Sequence, residues 1–97
     1  MTTLSQFKKG DLLLRQGDAS DRVLRVRSGE IEVLREVGAT SVLLGHVRDG
    51  EWLGEMGVIE GRSRSATARA VTDGEAEVLT ARQFLERVSS DPAGRAI

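Results

Sequence analysis

The chain has 97 residues, of which 39% are apolar and one is proline, and this composition is typical of a single small globular domain. Fourteen basic and 15 acidic residues give a net charge of -1, which excludes the basic surplus typical of nucleic-acid-binding domains. The sequence contains no cysteine, which excludes disulfides, thiolate metal sites and a cysteine nucleophile. No segment approaches the roughly 18 apolar residues that a membrane span needs, and we expect a cytoplasmic protein.

Short apolar stretches separated by glycine turns predict a mainly β domain. An apolar run at 12–14 lies between two glycines, and apolar and polar residues alternate at 24–27, 30–33, 66–70 and 75–78, as in half-buried strands. Residues 42–44 predict one further strand. Turn signals recur about every ten residues, as expected of an all-β sandwich or roll. We therefore predict a double-sheet β-roll of the jelly-roll type.

The hydrophobic period changes near the end of the chain. Four apolar residues at i, i+3, i+4 and i+7 predict one face of a C-terminal helix: Ala81, Phe84, Leu85 and Val88. Ser90 or Asp91, followed by Pro92, then has the pattern of a second helix N-terminus. Only about six residues remain before Ile97, and a helix of that length is marginal by itself. We expect residues 1–97 to form one domain whose last helix is truncated at 91–97.

Residues 50–70, GEWLGEMGVIEGRSRSATARA, place several glycines, a carboxylate and an arginine between two apolar segments. A glycine-rich approach to a single helical turn presents unpaired backbone N–H groups, which form a site for an anion. Arg64 follows the Gly61 turn, and its planar fork suits a bidentate contact with phosphate. Glu55 would repel an anion unless it binds a neutral part of the same ligand, such as sugar hydroxyls. The stretch therefore predicts a ligand in which a phosphate and a ribose hydroxyl lie close together.

The run LGEMGVIEGRSRSATARA resembles the phosphate-binding cassette of cyclic nucleotide-binding domains, the family of the catabolite activator protein and of protein kinase A regulatory subunits. Because the cassette is long and has fixed internal spacing, the resemblance is specific. Ser63 stands where many eukaryotic members have proline, which is closer to the bacterial activator pattern. Further positions of the family pattern extend along nearly the whole chain: Phe7, Gly10-Asp11, Gln16-Gly17-Asp18, Ser20-Asp21, Ser28-Gly29-Glu30 and Gly50-Glu51.

The resemblance implies roles for six cassette residues. Glu55 would accept a hydrogen bond from the ribose 2′-hydroxyl, and Arg64 would bind the exocyclic oxygens of the cyclic phosphate. The Ser65 hydroxyl would be an additional donor. Backbone N–H groups around the ribose and phosphate would come from Gly54, Met56, Gly57 and Ser65. Two apolar residues would lie against the base: Leu44 and Leu53.

Simpler interpretations of the same residues remain open. Arg64 taken alone is compatible with a surface arginine beside Arg62, and Glu55 with a carboxylate near a helix N-terminus. Gly54 and Gly57 are compatible with tight packing alone. Trp52 and Phe84 are expected in the core rather than as a platform for a ligand.

We therefore predict a regulatory sensor domain that binds a cyclic nucleotide, has no cofactor or metal, and signals through C-terminal helices to an effector module beyond the chain end. Cyclic AMP is favoured over cyclic GMP: some cyclic GMP binders use a hydroxyl at the position of Ser65, but bacterial cyclic AMP binders have serine there as well. The alternative is a nucleotide-free β-roll that serves as a protein-interaction or structural domain, against which the intact Glu55 and Arg64 count.

An enzyme is not expected, because no nucleophile with a paired base and no metal cluster can be assembled from these residues. Direct binding to nucleic acid or to a membrane is not expected either.

Overall fold

The structure is a computed structural model that describes residues 3–89. Along the chain the elements are β1 (Thr3–Phe7), β2 (Leu12–Leu14), β3 (Arg22–Ser28), β4 (Ile31–Val37), β5 (Thr40–Val47), β6 (Trp52–Leu53), α1 (Glu55–Glu60), β7 (Thr67–Ala70), β8 (Gly74–Thr80) and α2 (Ala81–Ser89). The strands in this range pair as two four-stranded antiparallel sheets, with the orders β1-β8-β3-β6 and β2-β7-β4-β5. The predicted double-sheet β-roll with a short helix and a C-terminal helix is confirmed.

The main core lies between the inner faces of the two sheets. Strand alternation directs Leu24 and Val26 of β3 inward, where they are buried together with Ile31 of β4. Small residues on the facing strands, Ala68 and Ala76, let the sheets approach closely. Burial of these apolar side chains is the main stabilising contribution to the roll.

A second core covers the outer face of the first sheet. Val23 and Leu79 point to this face and are fully buried, because the two helices pack over them. Val58 from α1 and Phe84 and Val88 from α2 complete the cluster. The same strand, β3, therefore contributes to both cores.

Helix α2 begins with a capping box. The Gln83 backbone N–H donates to the Thr80 hydroxyl at 3.0 Å, and the Thr80 N–H donates to the Gln83 side-chain oxygen at 2.9 Å. The Ala81 N–H donates to the carbonyl oxygen of Asp21, just before β3. These bonds satisfy donors of the first turn that have no partner within the helix.

One detail of the predicted helix face was wrong. Leu85 is 44% exposed, because the stripe of α2 that meets the sheet passes through Phe84 and Val88 instead. The Phe84 ring also contacts Trp52 edge to face, with 5.7 Å between the ring centroids. Neither helix in the described range is long and apolar enough to cross a membrane. The predicted start of a second helix at Ser90 to Pro92, and its truncation at 91–97, lie outside the described residues.

We expect Phe84→Ala to lower the free energy of unfolding by about 3–4 kcal/mol, because it removes a buried aromatic ring from between α2 and the sheet. The matched control is Leu85→Ala on the exposed side of the helix, with an expected loss below about 1 kcal/mol. Urea unfolding followed by tryptophan fluorescence measures both. Equal losses in the two variants would show that α2 does not dock through this face.

Candidate functional site

Helix α1 is bounded by two glycines with left-handed backbone. Gly54 precedes it with φ 87°, and Gly61 follows it with φ 67°, conformations that favour glycine. At the C-terminal end the Arg62 N–H donates to the Gly57 carbonyl oxygen at 2.9 Å, which closes the last turn. The six-residue helix therefore fits between β6 and the extended segment that leads to β7.

The segment after α1 is fixed to the loop that follows β2. The Arg64 N–H donates to the Asp18 carbonyl at 2.8 Å, and the Gly17 N–H donates to the Arg64 carbonyl at 2.8 Å. The neighbours Ser63 and Ser65 are exposed, whereas Arg64 is 6% exposed. Two backbone hydrogen bonds thus position the Arg64 side chain in the interior.

The Arg64 guanidinium binds two backbone carbonyls. Its Nη1 donates to the Gly54 carbonyl at 2.8 Å, and its Nη2 donates to the Arg22 carbonyl. A guanidinium has five N–H donors, so three remain for other partners. Within residues 3–89 Arg64 forms no ion pair with a carboxylate.

Burial is the main cause that lowers the pKa of Arg64 from its usual value. The carboxylate of Asp21 opposes this shift, the guanidinium of Arg22 adds to it, and the carboxylate of Glu55 opposes it. A guanidinium remains protonated despite such a shift, and Arg64 is therefore a buried positive charge. An anion that reaches it meets a cation poorly screened by water.

The two cassette glycines permit two different close contacts. A Cβ atom on Gly54 would lie 2.6 Å from Arg64 Nη1 and 3.1 Å from the Leu14 side chain. A Cβ atom on Gly57 would lie 2.3 Å from the hydroxyl of Ser20, which donates to the carbonyl of Arg62. Gly54 therefore makes room for the arginine, and Gly57 makes room for a serine that holds the following loop.

Glu55, the first residue of α1, carries an unsatisfied acceptor. Its Oε2 is buried and has no hydrogen-bond partner in the part of the chain that the structure describes. Buried polar atoms are nearly always paired, because an unmet hydrogen bond costs about 1–3 kcal/mol. This oxygen is therefore suited to accept a hydrogen bond from a ligand.

Arg64 and Glu55 line the same cavity, which has a volume of about 440 Å³, within the range of small-molecule sites. Leu53 and the chain's single tryptophan, Trp52, also line it. Leu44 does not: it lies on β5, 48% exposed. The cavity brings together all six predicted cassette residues: Gly54, Glu55, Met56, Gly57, Arg64 and Ser65.

Sequence reasoning missed the strand residues of the cavity wall. Leu14 of β2, Val33 and Arg35 of β4, and Ala68 of β7 line it together with the cassette. The sequence contained a signal for Arg35, because residues 31, 33 and 35 of a strand share one face by alternation. Among residues 3–89 there is no cluster of three or more side chains suited to hold a metal ion.

Fold and site together define a class of protein: a β-roll with a ligand cavity beside a glycine-bounded helical turn. Residues 4–91 match the model of the cyclic nucleotide-binding domain family. The chain belongs to this family.

An uncharacterized ABC transporter ATP-binding protein of Mycobacterium tuberculosis is 37% identical over 82 residues, which cover 84% of this chain and 25% of that protein. The chain thus spans about a quarter of the length of this relative. The catabolite activator protein of Thermus thermophilus superposes with a TM-score of 0.86 at 28% identity, over 96% of this chain and 44% of that one.

The EAL enzyme Bd1971 also has a similar domain. Its cGMP-bound form superposes with a TM-score of 0.85 at 28% identity, over 94% of this chain and 24% of that one. Its cAMP-bound form gives a TM-score of 0.84 at 29% identity, over 94% and 25%. Domains of this fold therefore occur in an EAL enzyme as well as in a catabolite activator protein.

Gly54→Ala tests the packing of Arg64. We expect it to destabilise the fold by at least about 1 kcal/mol more than Gly61→Ala. Of the two added Cβ atoms, only the one on Gly54 would overlap a neighbouring side chain, that of Arg64. Gly61→Ala, with nothing within 4 Å of the added atom, has the backbone strain alone, about 1–2 kcal/mol. Urea unfolding of both variants measures the difference. Equal losses would contradict the close contact between Gly54 and Arg64.

Proposed function

We propose that this chain binds a 3′,5′-cyclic nucleotide in the cassette cavity and acts as a regulatory sensor domain. One observation carries the proposal: a buried guanidinium without an ion pair and a buried carboxylate oxygen without a partner, within the described residues, line one cavity. A single ligand satisfies both groups if it carries an anionic phosphate next to a hydroxyl donor. A ribose cyclic phosphate has these two groups on adjacent parts of one small molecule.

Arg64 supplies the phosphate contact in this proposal. Its bonds to the Gly54 and Arg22 carbonyls fix the plane of the guanidinium before the ligand arrives. The remaining N–H groups then donate to exocyclic phosphate oxygens with little loss of side-chain entropy. Backbone N–H groups of the cassette and the Ser65 hydroxyl are proposed as further donors, since all of these residues line the cavity.

Glu55 selects the sugar. Its free Oε2 accepts from the ribose 2′-hydroxyl, and a charge-assisted hydrogen bond of this kind is worth roughly 1.5–3 kcal/mol. The carboxylate would repel a second phosphate in the same place. It therefore favours a ligand in which a single phosphate and a neutral hydroxyl stand side by side.

The proposed cassette contacts bind the phosphate and the ribose, and they determine the identity of the base less. Leu53 is the buried apolar residue of the cavity that we propose to contact it, whereas the contact predicted for Leu44 stays a prediction. The sequence favours cyclic AMP over cyclic GMP. The solved cAMP-bound and cGMP-bound forms of Bd1971 support a fold that accepts either base.

The signal is proposed to pass to α2 along two routes. The carbonyls of Asp21 and Arg22 are adjacent, and they accept hydrogen bonds from the first N–H of α2 and from Arg64 respectively. Trp52, which lines the cavity, contacts Phe84 of α2. A ligand that binds Arg64 thus contacts a side chain that is bonded to the Arg22 carbonyl, next to the Asp21 carbonyl that holds α2. The greater length of the relatives supports an effector module outside this chain. A cytoplasmic location stays a prediction.

The alternative function is a protein-interaction or structural domain that binds no nucleotide. The unpaired Glu55 oxygen counts against it, because a domain without a ligand gains nothing from a buried unsatisfied carboxylate. We propose no catalytic activity for the chain itself.

Calorimetric titration of the 97-residue chain with cyclic AMP and cyclic GMP tests the proposal. We expect saturable binding. Arg64→Ala should weaken it by at least about 100-fold, because two charge-assisted hydrogen bonds to the phosphate are lost. Arg82→Ala, which removes an 88% exposed arginine on α2, is the control and is expected to bind like the parent. Melting curves verify that each variant is folded. If the parent binds neither nucleotide, the interaction-domain alternative stands.

Glu55 is tested with a ligand that lacks one hydroxyl. We expect 2′-deoxy cyclic AMP to bind the parent chain about tenfold more weakly than cyclic AMP, because the Glu55 oxygen is then left unpaired. In Glu55→Ala the two ligands should bind equally, whereas Glu86→Ala on the exposed side of α2 should keep the tenfold ratio. A ratio that persists in Glu55→Ala would place the hydroxyl contact elsewhere.

A further inference from the structure

Arg35 is an arginine of the cavity wall that comes from the β-roll and not from the cassette. It follows Ile31 and Val33 on the inward face of β4, and both Val33 and Arg35 line the cavity. Its Nε donates to the carbonyl oxygen of Ser65 at 3.2 Å. That single bond ties the guanidinium to the cassette and sets its position at the exposed edge of the cavity.

The two terminal amino groups of Arg35 have no hydrogen-bond or ion-pair partner within residues 3–89. Other arginines around the cavity are engaged differently: both terminal nitrogens of Arg64 donate to carbonyls, and Arg62 lies 3.9 Å from Glu60. With Nε fixed, the outer edge of the Arg35 fork presents two parallel donors. Such an edge matches two adjacent acceptors on one planar ligand.

Depth separates the roles of the two arginines. Arg64 is 6% exposed and the Glu55 Oε2 is buried, whereas Arg35, which lines the same cavity, is exposed. Val33 and Ala68 line the cavity as apolar surface that suits the face of a base. A nucleotide whose ribose and phosphate bind the two buried groups would extend its base toward the solvent-exposed side of the cavity, the side on which Arg35 is exposed.

We propose that Arg35 is a specificity-determining residue that donates to the N7 and O6 edge of a guanine base, an inference that rests on the proposed cyclic nucleotide function. Guanine presents two acceptors on this edge, N7 and O6, and an arginine fork binds both. Adenine presents the acceptor N7 beside the donor N6 amino group, so only one of the two Arg35 amino groups finds a partner. Arg35 thus raises the affinity for cyclic GMP relative to cyclic AMP, whichever of the two the chain prefers overall.

The test compares three ligands on two variants by calorimetry. Cyclic IMP is the informative probe, because hypoxanthine keeps the N7 and O6 acceptors of guanine and lacks its 2-amino group. We expect Arg35→Gln to weaken cyclic GMP and cyclic IMP by about tenfold and cyclic AMP by about threefold or less. Arg27→Gln removes an exposed arginine of β3 outside the cavity, and it should leave all three affinities unchanged.

Each other outcome is decisive. Equal losses for the three ligands would overturn the base contact and assign Arg35 to the phosphate or to the support of Ser65. A loss for cyclic GMP without a loss for cyclic IMP would also overturn it, since the 2-amino group would then be the part recognised. If the unmodified chain binds none of the ligands, the proposed function and this inference fall together. Unchanged affinities in Arg35→Gln, with normal binding by the parent, overturn this inference alone.

Discussion

The buried guanidinium of Arg64 is the constraint on which the rest of the site depends. Taking a cation out of water is unfavourable unless fixed dipoles replace the solvent, and here the Gly54 and Arg22 carbonyls do so. Gly54 must lack a side chain for that arrangement, because a Cβ atom would overlap Arg64 Nη1. The backbone bonds with Asp18 and Gly17 keep the arginine pointing inward. The result is a positive charge held rigidly below a cavity before any ligand arrives.

The same backbone groups connect the site to the C-terminal helix. Strand β3 begins at Arg22, whose carbonyl holds Arg64, and the preceding carbonyl of Asp21 accepts the first N–H of α2. The next residue, Val23, is fully buried under that helix. A change at the guanidinium and a change in the seating of α2 therefore act on consecutive residues. The proposed signal to α2 would pass through these contacts.

Local features were predictable from the sequence, and features set by the pairing of distant strands were not. The alternation of β3 and β4, the helical spacing of α2 and the cassette were each visible within a short window. β1 was missed because only Phe7 of its five residues is buried, and β6 because it has two residues. The register between β4 and β5 shifts between Val33 and Leu34, which leaves Leu44 without a paired residue on β4, and such a bulge interrupts the in-and-out alternation without a clear sequence signal. Leu44 is far more exposed than its apolar character indicates, and so are its neighbours Val42 and Leu43 on the same strand.

The residues of the cavity come from two kinds of structural element, the glycine-bounded turn and the strands of the roll. Glu55 and Arg64 are both connected to the glycine-bounded turn: Glu55 is the first residue of α1, and Arg64 donates to the carbonyl of Gly54. Val33 and Arg35, in contrast, lie on β4: Val33 is paired with both β5 and β7, and Arg35 is paired with β5. Because side chains stand out of the sheet, substitutions at these strand positions change the cavity wall and keep the backbone hydrogen bonds of the ladder. In the proposed function, the contacts with the phosphate and the ribose therefore depend on the folded turn, whereas the contacts with the base come from a strand whose side chains can change without a loss of backbone pairing.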